Sequence, residues 1–131
     1  ALAMAADPDP KESPLLELDD VLGLRLNAQW VLLSACNTAA GERDGAAMSG
    51  LVRGFFFAGA RSVLATHWAV DTDSAAVLSA ATFGQQRAAP LTRAEALRRA
   101  QLGFIAGSAG GGRWTHPYHW APYALFGDAA R

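Results

Sequence analysis

Two short apolar runs constrain the fold of this chain more than any other feature. Residues 30–35 read WVLLSA, and the centre of residues 61–68, RSVLATHW, is apolar as well. In both runs the apolar side chains are consecutive instead of alternating, which is typical of a strand whose two sheet faces are covered by helices. The sequence therefore predicts two buried strands of an α/β sheet.

The residues between these two strands show the spacing of a helix. Apolar residues recur three and four positions apart over residues 46–60, which predicts a crossover helix that Gly59 closes. The members of this stripe are Met48, Leu51, Val52 and Phe55. A strand, a helix and a second strand in this order are typical of a parallel strand pair.

Further helices are predicted on both sides of this unit. A short helix is expected over about residues 19–24. After the second strand, Asp71, Asp73 or Ser74 can cap a helix that runs to about Arg87. The chain therefore continues with helical structure directly after RSVLATHW.

The last third of the chain carries a capping box and a final strand. In TRAE, residues 92–95, Thr92 and Glu95 are placed to satisfy each other's backbone N–H groups. The inward stripe of this helix is predicted to be Leu97, Gln101, Phe104 and Ile105. Its arginines, Arg93, Arg98 and Arg99, are assigned to the solvent side. The run YALFG, which starts at Tyr123, supplies the last strand.

This element order predicts an α/β domain with a mainly parallel sheet flanked by helices. A chain of 131 residues, 51% of them hydrophobic, suffices for one compact core, so residues 1–131 are expected to form a single domain. The chain opens directly in ALAMAA, without an initiating Met, and this start suggests a truncated domain whose sheet is incomplete at its N-terminal side. An unpaired sheet edge left in this way favours self-association of the fragment.

Charge and composition exclude several classes of function. Eleven basic and twelve acidic residues give a net charge of −1, and no block of like charge interrupts the chain. Neither nucleic acid nor a membrane is predicted as a partner, and no apolar run approaches the roughly twenty residues of a membrane-spanning helix. The single cysteine cannot form an internal disulfide, which favours a soluble protein in the reducing cytoplasm.

The positions of Cys36 and His67 point to a functional site. Ligands and catalytic groups of parallel sheets gather beyond the carboxyl ends of the strands, and each of these residues follows one of the two predicted buried strands. Free cysteine is also among the most buried residue types and often acts as a small hydrophobe. Position alone therefore leaves Cys36 open as either a packing residue or a nucleophile.

Three motifs together resemble the C-terminal portion of a CHAT domain, the caspase-like module often attached to tetratricopeptide repeats. They are WVLLSACNTAAG, then FFFAGARSVLATHWAVD, then HPYHWAPYALFGD, and they occur in the order of the family. The resemblance as a whole covers nearly the entire chain. The resemblance implies a caspase-like fold and, in active members, a cysteine endopeptidase with a His and Cys dyad. It identifies Cys36 as the nucleophile and implies a base in a His-Gly motif upstream of Ala1.

The absence of a histidine before His67 limits what the fragment is expected to do alone. A free thiol with a pKa of ~8.5 is only a small fraction thiolate at neutral pH and needs a base or a positive neighbour. The fragment by itself is therefore predicted to be inactive. His67 is the minority choice for the base, because a histidine at a strand end is more often a packed residue with one satisfied ring nitrogen.

Asp71 and Asp73 follow the second strand where a caspase-like protease binds the residue before the scissile bond. Carboxylates there favour a basic substrate side chain through charge-assisted hydrogen bonds. The alternative is that they cap the helix and complement its dipole. Both readings stay open, and one residue can serve both.

Neither a metal nor a cofactor is predicted. Cys36, His67, His116 and His119 are conceivable zinc ligands, but the His-x-x-His pair lies in a proline-containing loop, where both histidines are expected to satisfy loop backbone, and the chain lacks a second cysteine. The expected partners are a peptide or protein substrate and a repeat domain in the same or another chain. The alternative function is an inactive caspase-like module retained for protein binding.

Overall fold

A computed structural model of the chain describes residues 2–3, 15–33 and 50–129. The strands are β1 (Leu2–Ala3), β2 (Leu15–Leu16), β3 (Val31–Leu33), β4 (Ser62–Thr66) and β5 (Tyr123–Gly127). The helices are α1 (Leu18–Gly23), α2 (Gly50–Phe57), α3 (Thr72–Ala88) and α4 (Arg93–Ile105), with short 3-10 turns at Gly110–Gly112 and Pro117–His119. Helices and strands alternate through most of this region, so the predicted α/β class is confirmed.

The main sheet has the order β3-β4-β5 and is mixed. β3 pairs parallel with β4, with Leu33 opposite Ala65, as the two apolar runs predict. β5 pairs antiparallel with β4, with Tyr123 opposite Thr66, so the described sheet does not have the mainly parallel character expected from the element order. β1 and β2 form a separate antiparallel pair.

The reason for the antiparallel strand is the number of helices between β4 and β5. One helix carries the chain back to the edge at which a strand began, and this gives a parallel neighbour such as β3 and β4. Here α3 and α4 follow each other and pack together, so the chain crosses the sheet twice. It therefore re-enters the sheet at the edge where β4 ended.

Both faces of the sheet are covered, and β4 is buried along its whole length. On one face, Val63 and Ala65 pack with Val52 and Phe55 of α2 and with Val21 of α1. The side chains on the other face come from the sheet, from α3 and α4, and from the segment before β5: Leu64, Ala75, Leu78, Leu97, Phe104, Trp114 and Tyr123. The consecutive apolar residues of β4 are explained by this double burial.

Gly54 within α2 and Gly59, two residues beyond its end, occupy positions where a side chain would be poorly accommodated. Gly59, predicted to close the helix, has φ +104°, and a Cβ there would collide with the carbonyl oxygen of Leu26. Gly54 lies where α1 crosses α2, and its Cβ would lie 2.7 Å from Cδ1 of Leu18. The close packing of α1 on α2 therefore depends on Gly54.

The predicted caps are confirmed in part. The side chain of Asp71 caps α3 by accepting a hydrogen bond from the Ser74 backbone N–H. Thr92 caps α4 by accepting from the Glu95 N–H. The Glu95 carboxylate pairs with Arg98 and Arg99, so the reciprocal half of the predicted box is missing.

These two arginines hold the pKa of Glu95 at about 2, mainly through hydrogen bonds to its carboxylate.

The predicted inward stripe of α4 is buried at Leu97 and Phe104, but Ile105 is 48% exposed. Gln101 is partly buried, and its side-chain amide donates to the Trp120 carbonyl oxygen. The stripe is thus narrower than the spacing predicts.

Arg93 corrects the prediction that it faces solvent, because it is only 2% exposed. Its Nη1 donates to the carbonyl oxygen of Asp128 at 2.9 Å and lies 3.6 Å from the Asp128 carboxylate. Its Nη2 donates to Oε1 of Gln29 at 2.9 Å, and the guanidinium lies over the Trp30 ring. Arg93 therefore connects α4 to both the entry of β3 and the exit of β5.

We expect Arg93→Ala to lower the free energy of unfolding by about 2–3 kcal/mol, because it removes two charge-assisted hydrogen bonds together with the packing of a buried side chain on Trp30. Urea unfolding followed by circular dichroism measures this change. Arg98→Ala, on the exposed side of the same helix, is the matched control and should leave stability nearly unchanged, since Arg99 still pairs with Glu95. Equal effects of the two substitutions would contradict the structural role of Arg93.

Candidate functional site

The groups of interest lie at one edge of the main sheet, which we call the carboxyl edge. β3 and β4 end there and β5 begins there, as the pairs Leu33 with Ala65 and Thr66 with Tyr123 show. The residues that follow β4 and the residues that precede β5 are therefore neighbours. This edge corresponds to the position where parallel sheets place their ligands.

His67 is the first residue after β4 and is exposed. Its backbone N–H donates to the carbonyl oxygen of Pro122 at 3.0 Å, which continues the β4–β5 ladder by one bond. Its imidazole has no hydrogen-bond partner within the described residues. The exposure of His67 contradicts its interpretation as a packed residue, and the imidazole is accessible to a ligand.

Cys36 follows Leu33 by three residues and lies outside the described residues. The adjacency of β3 and β4, on which the pairing of Cys36 with His67 depends, is present. The role of Cys36 stays a prediction.

Asp71 and Asp73 lie at the start of α3, and both are exposed. Asp71 is the N-cap, with its Oδ1 accepting from the Ser74 N–H at 2.9 Å, so the capping alternative is confirmed for this residue. Asp73 lies in the first turn of the helix, where its charge complements the helix dipole. Within the described part of the chain, the Asp73 carboxylate accepts no hydrogen bond and stays available to a cation.

Ser74 and His119 form a hydrogen bond that sequence reasoning missed. Oγ of Ser74 donates its one proton to the carbonyl oxygen of Asp71 at 2.9 Å, and Nδ1 of His119 lies 3.3 Å from the same Oγ. Since the hydroxyl proton is already engaged, Nδ1 of His119 is the donor. The lone pair of the neutral imidazole is then on Nε2.

The indole of Trp68 forms a second hydrogen bond across the carboxyl edge. Nε1 of Trp68 donates to the carbonyl oxygen of Tyr118 at 3.1 Å, and the Tyr118 ring packs edge-on against His119. Nδ1 of His116 accepts from the Tyr118 N–H, so the prediction that it satisfies loop backbone is confirmed. His119 differs, because its described hydrogen bond goes to a side chain.

No sequence signal identified these links. Ser74 and His119 are 45 residues apart, and Trp68 and Tyr118 are 50 apart. They meet only because β5 enters the sheet at the edge where β4 ends. A parallel β5 would have placed the histidines at the opposite edge.

Tyr123 lies beneath this edge and is 5% exposed. Its hydroxyl has no hydrogen-bond partner within the described residues. Burial raises its pKa to about 12, so the phenol stays neutral at physiological pH. Tyr123 therefore contributes packing to the edge and no acid–base function near neutrality.

The described residues contain no group of three His, Cys, Asp or Glu side chains arranged to hold a metal ion. None of the helices within residues 2–3, 15–33 and 50–129 is long and apolar enough to cross a membrane.

These features define an α/β domain with accessible polar side chains at the carboxyl edge of its sheet. The family model of the CHAT domain matches residues 1–128. The chain belongs to the CHAT-domain family, a caspase-like family related to peptidases.

A curated relative supports the same assignment. Tetratricopeptide repeat protein 28 of Mus musculus is 29% identical over 128 residues. The match covers 94% of this chain but 5% of the relative, so the chain corresponds to a small part of that protein. The name of the relative fits the association of CHAT domains with tetratricopeptide repeats. No solved structure matches the chain significantly.

We expect Tyr123→Phe to leave the free energy of unfolding unchanged or to raise it by up to about 1 kcal/mol, because the substitution removes a buried hydroxyl that has no partner. Thermal and urea unfolding measure the difference. Tyr123→Leu, which also removes ring volume, should be destabilising and serves as the comparison. A loss of more than about 1 kcal/mol in Tyr123→Phe would indicate a hydrogen bond that the described residues do not contain.

Proposed function

We propose that the chain is the nucleophile-bearing part of a cysteine endopeptidase, with Cys36 as the nucleophile. Membership of the CHAT family supports this proposal. The observation that carries it is the parallel pairing of β3 with β4, because Cys36 and the accessible His67 follow strands that end at the same edge. The finer expectation of a caspase-like sheet and the cytoplasmic location belong to the same proposal.

The proposed reaction follows from the chemistry of a thiol. A base removes the Cys36 proton, and the thiolate attacks the carbonyl carbon of the scissile peptide bond. The developing oxyanion accepts hydrogen bonds from backbone N–H groups, with the amide of Cys36 as one donor. The protonated base then gives its proton to the leaving amine, and water hydrolyses the thioester. The base is assigned to a histidine upstream of Ala1, and His67 is the second choice.

The substrate is proposed to carry a basic side chain before the scissile bond. Asp73 supports this preference because its carboxylate is exposed and uncommitted within the described residues. Asp71 also acts as a cap, but a single carboxylate oxygen bonds the Ser74 N–H, so Asp71 can contact a substrate as well. An Arg or Lys side chain fits this pair of carboxylates.

A second candidate function is that of a caspase-like binding module without catalysis. A His-Gly motif upstream of Ala1 in the complete gene product would favour the enzyme, and the lack of one there would favour this module. In that case the expected partner is a repeat domain in the same or another chain, as the name of the curated relative suggests. The two candidates differ in whether Cys36 is reactive.

Covalent labelling distinguishes the two candidates. We expect a peptide with an electrophilic warhead to label Cys36 in the complete gene product, because an activated thiol reacts faster than a free one. Mass spectrometry locates the adduct, and Cys36→Ala should lose all of it. A His67→Ala variant tests the second choice of base. Equal labelling of wild type and Cys36→Ala, or no labelling, would support the binding module.

Specificity provides an independent test of the acidic pair. We expect Asp73→Asn to lower labelling by an Arg-containing probe by about tenfold relative to an uncharged probe, because an amide does not attract the cation. Asp71→Asn keeps a capping side chain, so it tests charge without loss of the helix cap. Competition between the two probes measures the ratio. An unchanged ratio in both variants would exclude these carboxylates from substrate recognition.

A further inference from the structure

The outer surface of α1 and α2, which we call the α1–α2 face, carries exposed large apolar side chains. Phe57 at the end of α2 is 83% exposed. Leu18 and Leu22 of α1, which line one pocket together with Phe57, are also exposed. Single exposed leucines are ordinary, but a contiguous apolar set on one surface is characteristic of an interface.

A pocket lies within this face beside Phe57. Its volume is about 290 Å³, and its lining residues are Leu18, Leu22, Gly50, Arg53, Gly54 and Phe57. A cavity of roughly 150 Å³ already holds a benzene ring in a protein, so this pocket is large enough for a phenyl side chain. Gly50 and Gly54 form part of the pocket wall, and the side chain of Leu18 packs against both.

The charges of the same face are complementary to one another. Arg53 lines the pocket, and Asp19 lies next to Leu22 on the exposed surface of α1. Within the described residues, neither charge takes part in a salt bridge or a side-chain hydrogen bond. Glu17 and Asp20 differ from Asp19, because they form the capping box of α1.

We propose that a second copy of this chain occupies the α1–α2 face and forms a two-fold symmetric dimer. A two-fold interface requires that one patch contain both halves of each contact. The α1–α2 face meets this requirement twice. It contains a protruding phenyl ring together with a pocket that accepts one, and it contains a cation and an anion that are unpaired within the described residues. Phe57 of each copy enters the pocket of the other, and Arg53 of each copy faces Asp19 of the other.

The α1–α2 face is separate from the carboxyl edge and from the predicted unpaired edge of the sheet. α2 packs on the sheet face opposite to α3 and α4, so the α1–α2 face leaves His67 and Asp73 uncovered. It also differs from the sheet edge, predicted to be unpaired, at which strand pairing is expected to favour self-association. The dimer therefore does not involve the candidate catalytic residues. A failed test of the dimer would leave the peptidase proposal unaffected.

The experiment is sedimentation equilibrium of the chain over a range from low micromolar to several hundred micromolar. We expect a reversible monomer–dimer equilibrium in the wild type, and Phe57→Ser should raise its dissociation constant by about tenfold or more. Ile105→Ser is the matched control, since Ile105 is exposed to 48% on α4, and it should leave the constant unchanged. Circular dichroism verifies that both variants are folded.

Charge reversal tests the reciprocal arrangement. Arg53→Glu and Asp19→Arg should each weaken the dimer, and the double variant should restore it, because the charges have exchanged places. Three results would overturn the proposal: a wild type that is monomeric throughout, association unaffected by Phe57→Ser, or a double variant no tighter than the single ones. Association that persists in Phe57→Ser assigns self-association to another surface, such as the edge of β3.

Discussion

The structure depends on the burial of β4 from both sides. All five of its residues are buried, and each helical layer packs against it from a different face. A strand in this position allows no polar side chain without a partner, so polar and ionisable residues are displaced to its ends. The change from Ala65 and Thr66 to the exposed His67 within three residues reflects this constraint.

The pairing of α3 with α4 determines what surrounds that transition. Because two helices separate β4 from β5, the loop rich in histidine and aromatic residues arrives at the carboxyl edge. Its hydrogen bonds to Ser74 and from Trp68 then join two segments that are remote in sequence. The chemistry available at the edge is thus a product of topology as much as of any local motif.

The local parts of this organisation could be predicted from the sequence. The consecutive apolar residues gave β4 and its parallel neighbour, and the spacing around Thr92 gave α4, because these signals depend only on nearby residues. The direction of β5 and the burial of Arg93 could not be predicted in this way. Both depend on contacts with distant segments, and Arg93 is buried because Gln29 and Asp128 supply its acceptors.

The candidate site also combines residues that local patterns predicted with a contact that they did not. The positions of His67, Asp71 and Asp73 followed from strand ends and helix starts, whereas the bond between Ser74 and His119 had no local signal. The capping role of Asp71 was one of two readings that the sequence left open. The structure supports that reading through a backbone contact that spacing alone does not require.

The Ser74–His119 bond has a further consequence for the carboxyl edge. Trp68 holds the neighbouring residue, Tyr118, so the loop before β5 is attached on both sides of the connection between β4 and α3. A displacement of α3 relative to β4 would therefore be transmitted to this loop.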